Sequence, residues 1–567
     1  MSLTLGGTTY SVPGAYSITK IINQGGNAIP VFNIGVLIAN SMSMRPYLLG
    51  VGSTPAETAD QFILPFSDAD SLARAAGNAG DSEMVTAFQY AKKTGGGTIY
   101  CLNVRPLTAM TGGVVANATP VTAFTVKTTE KMYGVTANDT SLTIAASVHT
   151  IIPPKNVTML TANSGTTSAT ISVNQVPTGI RVGDIYFLVS NTVFASVAGQ
   201  SMTVVSWDAT AKTITFSAAS SLDCTTAGYA RIFQADTDNQ EVSSSALTTV
   251  ALVQAFYAAS KYASVTMAAG ITLMPVTLAK TYLQQLGSAT PATAPAATAS
   301  DWQAIVSNFQ RWNEEFALVN KAYMRVLNLI TSDSANHASF SALAVSMRAI
   351  SKPIACIAGA ALGETPAQLY ARTFALNTDA FQLAGNGLDG LGAYLSYSPE
   401  IFGIRISNAI THNQTNDLIV ATTVEVAYYQ ESTTLETLCN NGVMAIKVSK
   451  NGYQIAQGLT TYQNHTNTFN PDTKMTYLVT LRDLADFDLR LMLELLDQFA
   501  GADGVTREVL SSAIVQSSEL EQNQLQYITG YQIQSITKTG NAWTIQRSVT
   551  LAGITDFIGL VNSIIVN

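Results

Sequence analysis

The sequence predicts a multidomain α/β (α+β) body that carries an inserted all-β domain and ends in extended β-strand arms. Three observations carry that prediction. Apolar strand-like runs alternate with helical stretches over much of the chain, the rhythm of a sheet covered by helices. Between Leu107 and about Ile232 the text changes to short alternating runs rich in Thr, Ser, Ala and Val, with few charges. Both termini are apolar and β-rich, where chain ends in water are normally polar and frayed. At 567 residues the chain exceeds what one core supports, so about two to four domains are expected.

In chain order, an N-terminal arm covers 1–25, with Tyr16, Ile18, Ile21 and Ile22 in its strand-forming part and Gly25-Gly26 as its hinge. The first body segment, 26–106, opens on an apolar strand at Val31–Ala39. A helix from Asp68 to Lys93 follows, with Asp68 and Asp70 at its start, and Gly95-Gly96-Gly97 ends it before the strand Thr98–Val104. The all-β insert spans 107–232, with alternating runs such as Ser168–Val176 and Ser201–Trp207. The second body segment, 233–440, holds a helix at Ser243–Tyr262, a Pro/Ala/Thr linker at Ser288–Ser300 and a helix from Asp301 to about Phe316. Strands at Met324–Ile330 and Pro353–Ala358 then flank a helix at His337–Ile350. The C-terminal domain, 441–552, begins with a hairpin, Val443–Val448 and Tyr453–Ile455 about Asn451-Gly452. It continues with helices at Leu481–Phe499 and Thr506–Gln524, and with strands at Tyr531–Thr537 and Ala542–Leu551 about Gly540-Asn541. The C-terminal arm, 553–567, carries Val561, Ile564, Ile565 and Val566 beyond a hinge at Gly553. Arms of this kind are expected to be buried, most economically by adding a strand to the open sheet edge of a second copy. Pairing within the same subunit is the alternative.

Charged residues make up 12% of the chain against about 25% in an ordinary soluble domain, while apolar residues make up 47%. A large monomer with so few charges would be poorly soluble, so partners are expected to cover much of its surface. The net charge of −8 argues against a nucleic-acid partner, which calls for an excess of lysine and arginine. An uncharged run, Tyr262–Ala279, contains Gly270 and Pro275 and reads as strand plus turn, so no membrane insertion is expected. Met1–Gly7 lacks a basic region followed by an apolar core, so no secretory signal is expected. Cys101, Cys224, Cys356 and Cys439 have no paired spacing and read as buried free thiols of a reducing cytoplasm.

Little in the sequence makes a case for chemistry. Gly385-Asn-Gly387-Leu-Asp-Gly390 matches the dinucleotide fingerprint, but the stretch before Ser398-Pro399 is too short for the helix that must receive the pyrophosphate. His149, His337, His412 and His465 are scattered without neighbouring ligands, so no metal site is expected. Glu314-Glu315 beside Arg311 reads as a solvated helix face. No catalytic, cofactor-binding or metal-binding residue is assigned. On Leu481–Phe499, by contrast, Leu484, Phe487, Leu491, Leu495 and Phe499 share one stripe. Asp483, Asp486, Arg490, Glu494 and Asp497 fall on the opposite one, a charged face that is either ordinary surface or presented to a partner.

Ordered signposts over most of the chain resemble the sheath proteins of contractile phage tails and related injection machines. Val12-Pro13-Gly14-Ala15-Tyr16 is similar to that family's Pro-Gly-Val-Tyr opening, and Gly95 to Arg105 to its Gly-Gly followed by a strand ending in Val-Arg. Asn440 to Thr461 resembles its glycine-punctuated hairpin, and Tyr477–Arg490 the helix after it. The chain departs from the family's Trp-Gly-x-Arg-Thr, having Ala456-Gln-Gly458-Leu-Thr-Thr there, and lacks that arginine. The resemblance implies a structural subunit, not an enzyme, with no cofactor. It implies copies stacked as six-membered rings around an inner tail tube, with baseplate and terminator proteins as further partners, in a virion tail assembled in the bacterial cytoplasm. It also implies that the arms exchange strands between subunits. From its change of composition the insert is expected to face outward, and the charged stripe of 481–499 is expected to face the tube. A dinucleotide-dependent enzyme built on Gly385–Gly390 and a β-rich surface or adhesin-type protein are the competing readings.

Overall fold

The computed structural model describes residues 3–5, 8–10, 34–41, 44, 58–76, 83–95, 97–104, 113–118, 121–128, 139–161, 168–177, 179–189, 200–220, 230–271, 274–283, 297–350, 352–361, 363–385, 396–408, 412, 414–419, 432–462, 479–499, 502, 504–539 and 542–551. The chain divides into two compact units. One comprises Val36–Gln89 and Thr98–Ala322, the other Met1–Gly35, Tyr90–Gly97 and Tyr323–Asn567.

In the first unit, Ile34–Ala39 and Ile99–Asn103 pair in parallel and Leu64–Phe66 joins the second antiparallel. Val36 to Ala39 are all fully buried, the continuous apolar run of a strand covered on both faces. Asn103, also buried, accepts from the Ser41 N–H at 3.0 Å and donates to the Met44 carbonyl at 2.7 Å, which holds the chain beyond the first strand. The single helix expected from Asp68 to Lys93 is two, α1 (Ala69–Ala76) and α2 (Glu83–Thr94). Gly77 and Gly80 lie between them in the sequence, and each glycine inside a helix costs about 1 kcal/mol.

Residues 154–235 contain a six-stranded antiparallel sheet in the order Pro154–Met159, Arg231–Ala235, Ile185–Val189, Gln200–Asp208, Thr213–Phe216, Thr170–Ser172. The sheet closes on itself. Leu160 bridges Val173, the Thr161 N–H donates to the Ser172 carbonyl at 3.0 Å, and the Asn174 N–H donates to the Met159 carbonyl at 3.0 Å. Alternate residues, among them Ile171, Tyr186, Leu188, Val204, Ile214 and Ile232, fill the interior of the resulting small barrel.

The barrel sits within a larger β-rich module. Glu241–Val242, Val148–Ile152, Ser141–Ala145 and Leu278–Tyr282 form a four-stranded sheet, and Ser264–Met267, Val121–Lys127 and Gly113–Ala118 a three-stranded one. The helix α3 (Val250–Ala259), whose N-cap Thr249 accepts from the Leu252 N–H, shares a core with both sheets through Phe124, Leu142, Ile151, Val253 and Tyr257. The boundary expected at 232 is therefore corrected: strands within 241–282 return to pair with strands within 121–152. Such partners lie far apart in sequence, so a change of composition does not mark where the module ends. Arg231 and Asp139, both buried, join barrel to module through two parallel hydrogen bonds of 2.6 Å.

The helix α4 (Ala299–Asn320) opens on a capping box between Thr298 and Asp301 and buries Trp302, Ile305, Phe309, Trp312 and Phe316 along one stripe. Phe62 meets Trp312 edge-on at 4.9 Å, and Tyr100 meets Phe316 in the same way at 4.8 Å.

In the second unit, Met324–Leu329, Ala355–Gly359, Phe381–Ala384 and Val443–Met444 form a parallel ladder in that order. The helices α5 (Ser334–Ala349) and α6 (Pro366–Leu376) are its first two crossovers. The helix α7 (Ser398–Ser407) is buried from Ser398 to Ile406, and Pro399 lies in its first turn, where a missing N–H breaks nothing. Against it lies the end of α2. A Cβ added to Gly403 would stand 2.1 Å from the Ala91 carbonyl oxygen, and one added to Gly95 would stand 2.1 Å from that of Gly403. The two backbones touch with no side chain between them.

The hairpin expected over 443–455 is divided. Val443–Met444, which follow α8 (Ser432–Asn440), belong to the parallel ladder, and only Ile446–Ser449 pairs with Gly452–Ile455. Further on, α9 (Val479–Asp497) and α10 (Arg507–Leu520) pack against a long hairpin of Ile528–Thr539 with Ala542–Leu551. The end of α10 widens into a π turn at Glu521–Leu525, and Gln526, at φ 57°, redirects the chain into the strand. Near the start, Leu3–Leu5 pairs with Thr8–Tyr10. Tyr16, Ile18, Ile21, Ile22, Gly25, Gly26, Gly553, Val561, Ile564, Ile565 and Val566 lie outside the described residues.

Candidate functional site

The C-terminal hairpin follows a period of two. Tyr531, Ile533, Trp543, Ile545 and Val549 pack toward α9 and α10, while Gln532, Gln534, Thr544, Gln546, Ser548 and Thr550 are exposed. Register shifts between Ile528 and Gly530 and between Ile533 and Ser535 add local twist. Among the described residues neither strand has a second strand beside it, so strands of 12 and 10 residues each present an open row of N–H and C=O groups. Charge that would discourage a new strand is scarce, because Lys538 and Arg547 are the charged residues between Ile528 and Leu551.

Arg547 faces inward. Its Nη1 donates to both oxygens of Asp488, at 2.9 and 3.1 Å, and its Nη2 donates to Glu521. Ser517 donates to the other Glu521 oxygen at 2.8 Å. One guanidinium thus holds α9, the π turn and the hairpin together. Burial, helped by the Asp488 charge, pushes the Glu521 carboxyl up to about 7 against the pull of Arg547.

The face of α9 differs from its helical-wheel reading. Leu484, Phe487, Leu491 and Leu495 are buried, and Glu494 is exposed. Asp483 and Asp486, however, turn to arginines. Arg405 Nε donates to Asp483 at 3.2 Å, and Asp486 lies 3.0 Å from Arg482 and 3.2 Å from Arg348. The guanidinium of Arg490 lies 5.3 Å from the Phe487 ring. Asp483 and Asp486 are thus half-buried partners of Arg405, Arg348 and, within the helix, Arg482, not an open stripe. The first two of these arginines come from outside the helix, where a helical wheel does not show them. The side chain of Asp497 is outside the described ones.

The remaining sequence candidates have structural partners. Glu315 pairs with Arg311 at 2.6 Å and accepts from the Ala59 N–H at 3.1 Å, capping a short turn. His149 lies in the core of the β-rich module with its Nδ1 3.0 Å from the Tyr257 hydroxyl. His337 Nε2 is 2.7 Å from the Thr331 carbonyl, and His412 is 2.7 Å from Asp417. Burial pulls both His149 and His337 down to about 4. Cys101 and Cys356 are buried free thiols and Cys439 is a half-buried one, whereas Cys224 and His465 lie outside the described residues. The N–H of Gly385 is engaged by Met444 and Tyr397, and 386–390 lie outside the described residues. Among the described residues, no group of three His, Cys, Asp or Glu is placed to hold a metal, and no helix is long and apolar enough to cross a membrane.

No protein-family model matches the sequence, and no curated protein matches it. Solved structures do resemble the fold. The sheath tail protein from Desulfitobacterium hafniense is 13% identical, with a TM-score of 0.50 over 92% of this chain and 97% of that one. Chains of the anti-feeding prophage are also similar: one from its contracted helical sheath, 13% identical over 48% of this chain and 76% of that one, with a TM-score of 0.36. One from its baseplate is 14% identical over 48% and 75%, again with a TM-score of 0.36. The first likeness runs almost the full length of both chains and gives this chain the fold of that sheath tail protein.

Proposed function

We propose that the chain is a structural subunit of a contractile tail sheath. Copies stack as six-membered rings around an inner tube, and the sleeve shortens to drive that tube through a target envelope, with baseplate and terminator proteins at its ends. The observation that carries this reading is the open C-terminal hairpin on a near full-length sheath fold. Its two free edges suit strand addition by the arms of neighbouring copies, one the stretch around Tyr16–Ile22 and the other Val561–Val566. Each ladder hydrogen bond contributes about 0.5–1.5 kcal/mol net, and the apolar side chains of an arm add burial. Low overall charge supports a surface covered by copies of itself. The barrel at 154–235 carries its own core and is read as an outward appendage. On α9, Glu494 is the exposed charged position among the described side chains and is read as open to a tube contact.

Negative-stain microscopy of the purified chain tests the reading. Rings or tubes are expected from the full chain, and a folded, unpolymerised subunit from a truncation after Leu551. Long tubes from the truncated chain would remove the C-terminal arm from the connection.

A further inference from the structure

A cleft of about 40 Å³ in the second unit is lined by Arg325, Arg405, Arg482 and Arg490 against Asp483 and Asp486. Four guanidinium groups against two carboxylates leave two positive charges in excess. Arg482 is the central one, with its side chain only 1% exposed. Its Nη2 serves the Ile354 carbonyl and Asp486, both at 3.0 Å. Its Nε and Nη1 are buried and have no hydrogen-bond partner. Leaving a buried guanidinium with free donors is costly, and native proteins resolve it by placing an acceptor there. Burial and then the charge of Arg325 pull Arg490 down to about 10, against the charges of Glu494 and Asp486.

We propose that this cleft is an oxyanion site, which takes one phosphate- or carboxylate-class group on an unpartnered donor of Arg482, with Arg490 as its second contact. The cleft has room for such a group and not for a nucleoside. The two unpartnered donors lie on different edges of the guanidinium, so an oxyanion takes one of them and completes its contacts through Arg490. The anion has two chemical sources, free inorganic phosphate or the acidic side chain of a second copy. The site itself stands apart from the sheath reading, because a single subunit holds every residue named.

Calorimetric titration of the purified subunit with inorganic phosphate, at an ionic strength held constant with sodium chloride, tests it. One saturable site is expected. It should weaken about tenfold in Arg490→Gln and disappear in Arg482→Gln. Should Arg482→Gln fail to fold, Arg490→Gln decides alone. Binding that never saturates, or equal binding by Arg490→Gln and the parent, would overturn the proposal. A second arm assigns the source. Phosphate that slows polymerisation of the parent but not of Arg490→Gln means that a neighbour's carboxylate fills the cleft, whereas phosphate that stays with the purified subunit and leaves polymerisation unchanged means a free ion.

Discussion

The barrel at 154–235 and the hairpin at 528–551 are both antiparallel β-structure with alternating side chains, and they treat their edges in opposite ways. In the barrel the Leu160–Val173 bridge brings the last strand back to the first, and the apolar face is enclosed. In the hairpin each strand has a single neighbour among the described residues, one face rests on two helices, and the outer face is a row of Gln, Thr and Ser. The same local pattern thus yields a finished module where the chain supplies its own closing strand, and an unfinished one where it does not. A sheet left open with so little edge charge is suited to receive a strand from elsewhere.

The largest expected effect comes from breaking the joint between barrel and module. Arg231→Met leaves the Asp139 carboxylate buried and unpaired, and urea unfolding should show a loss of about 3–5 kcal/mol. The double variant with Asp139→Leu should recover most of that loss. A single variant as stable as the parent would mean that the pair does not secure the barrel.

Next comes a difference in the sign of pH dependence. His149 is held neutral inside the β-rich module, with its pKa lowered from 6.5 to about 4. A depressed histidine stabilises the fold above its unfolded pKa, and the module should lose about 3 kcal/mol as pH falls from 6.5 through 4. Glu521 beneath the hairpin has the opposite sign, its pKa raised from 4.5 to about 7. Its contribution is fully present below 4.5 and lost as pH rises through 7, on the order of 3 kcal/mol, and Glu521→Gln should flatten it. Hydrogen exchange followed from pH 4 to 8 separates the two regions, and a common pH profile for both would contradict the contrast.

A smaller effect on the fold is expected from Thr544→Lys with Ser548→Lys on the open face of the hairpin. Melting should move by no more than about 0.5 kcal/mol, while tube formation falls, read by sedimentation. The smallest effect should follow the largest cut. Pro154 and Ala235 are direct strand partners, so a short glycine linker can replace the barrel between them. With Asp139→Asn to relieve the stranded carboxylate, the shortened chain should fold and assemble as the parent does. A folded product that cannot assemble would place the barrel within the connecting surface.

Much of the body was legible from the sequence because its signals are local. Val36–Ala39 is a continuous apolar run, and α4 carries both a capping box and an apolar stripe. What could not be read depends on residues remote in sequence. The module's true limit follows from Leu278–Tyr282 returning to Ser141–Ala145, and the inward turn of Asp483 and Asp486 from Arg405 and Arg348. The start of α7 was hidden by Pro399, which reads as a break although proline also begins helices. The open hairpin was visible in part, since Ala542–Leu551 and its turn have strong local patterns, but whether another described strand lies beside it is decided by the fold and not by local sequence.

Closure of the barrel also has a consequence in time. Strand 154–159 must wait for 231–235 before the ring can form, whereas the two strands of the C-terminal hairpin are separated by only a short stretch of sequence. Long-range pairing is slow and hairpin closure takes about 1–10 μs. A chain emerging from the ribosome makes the barrel strands well before it reaches Ile528. The segment most able to capture a foreign strand is therefore made after the barrel has had its chance to close, and the period in which both are unpaired together is short.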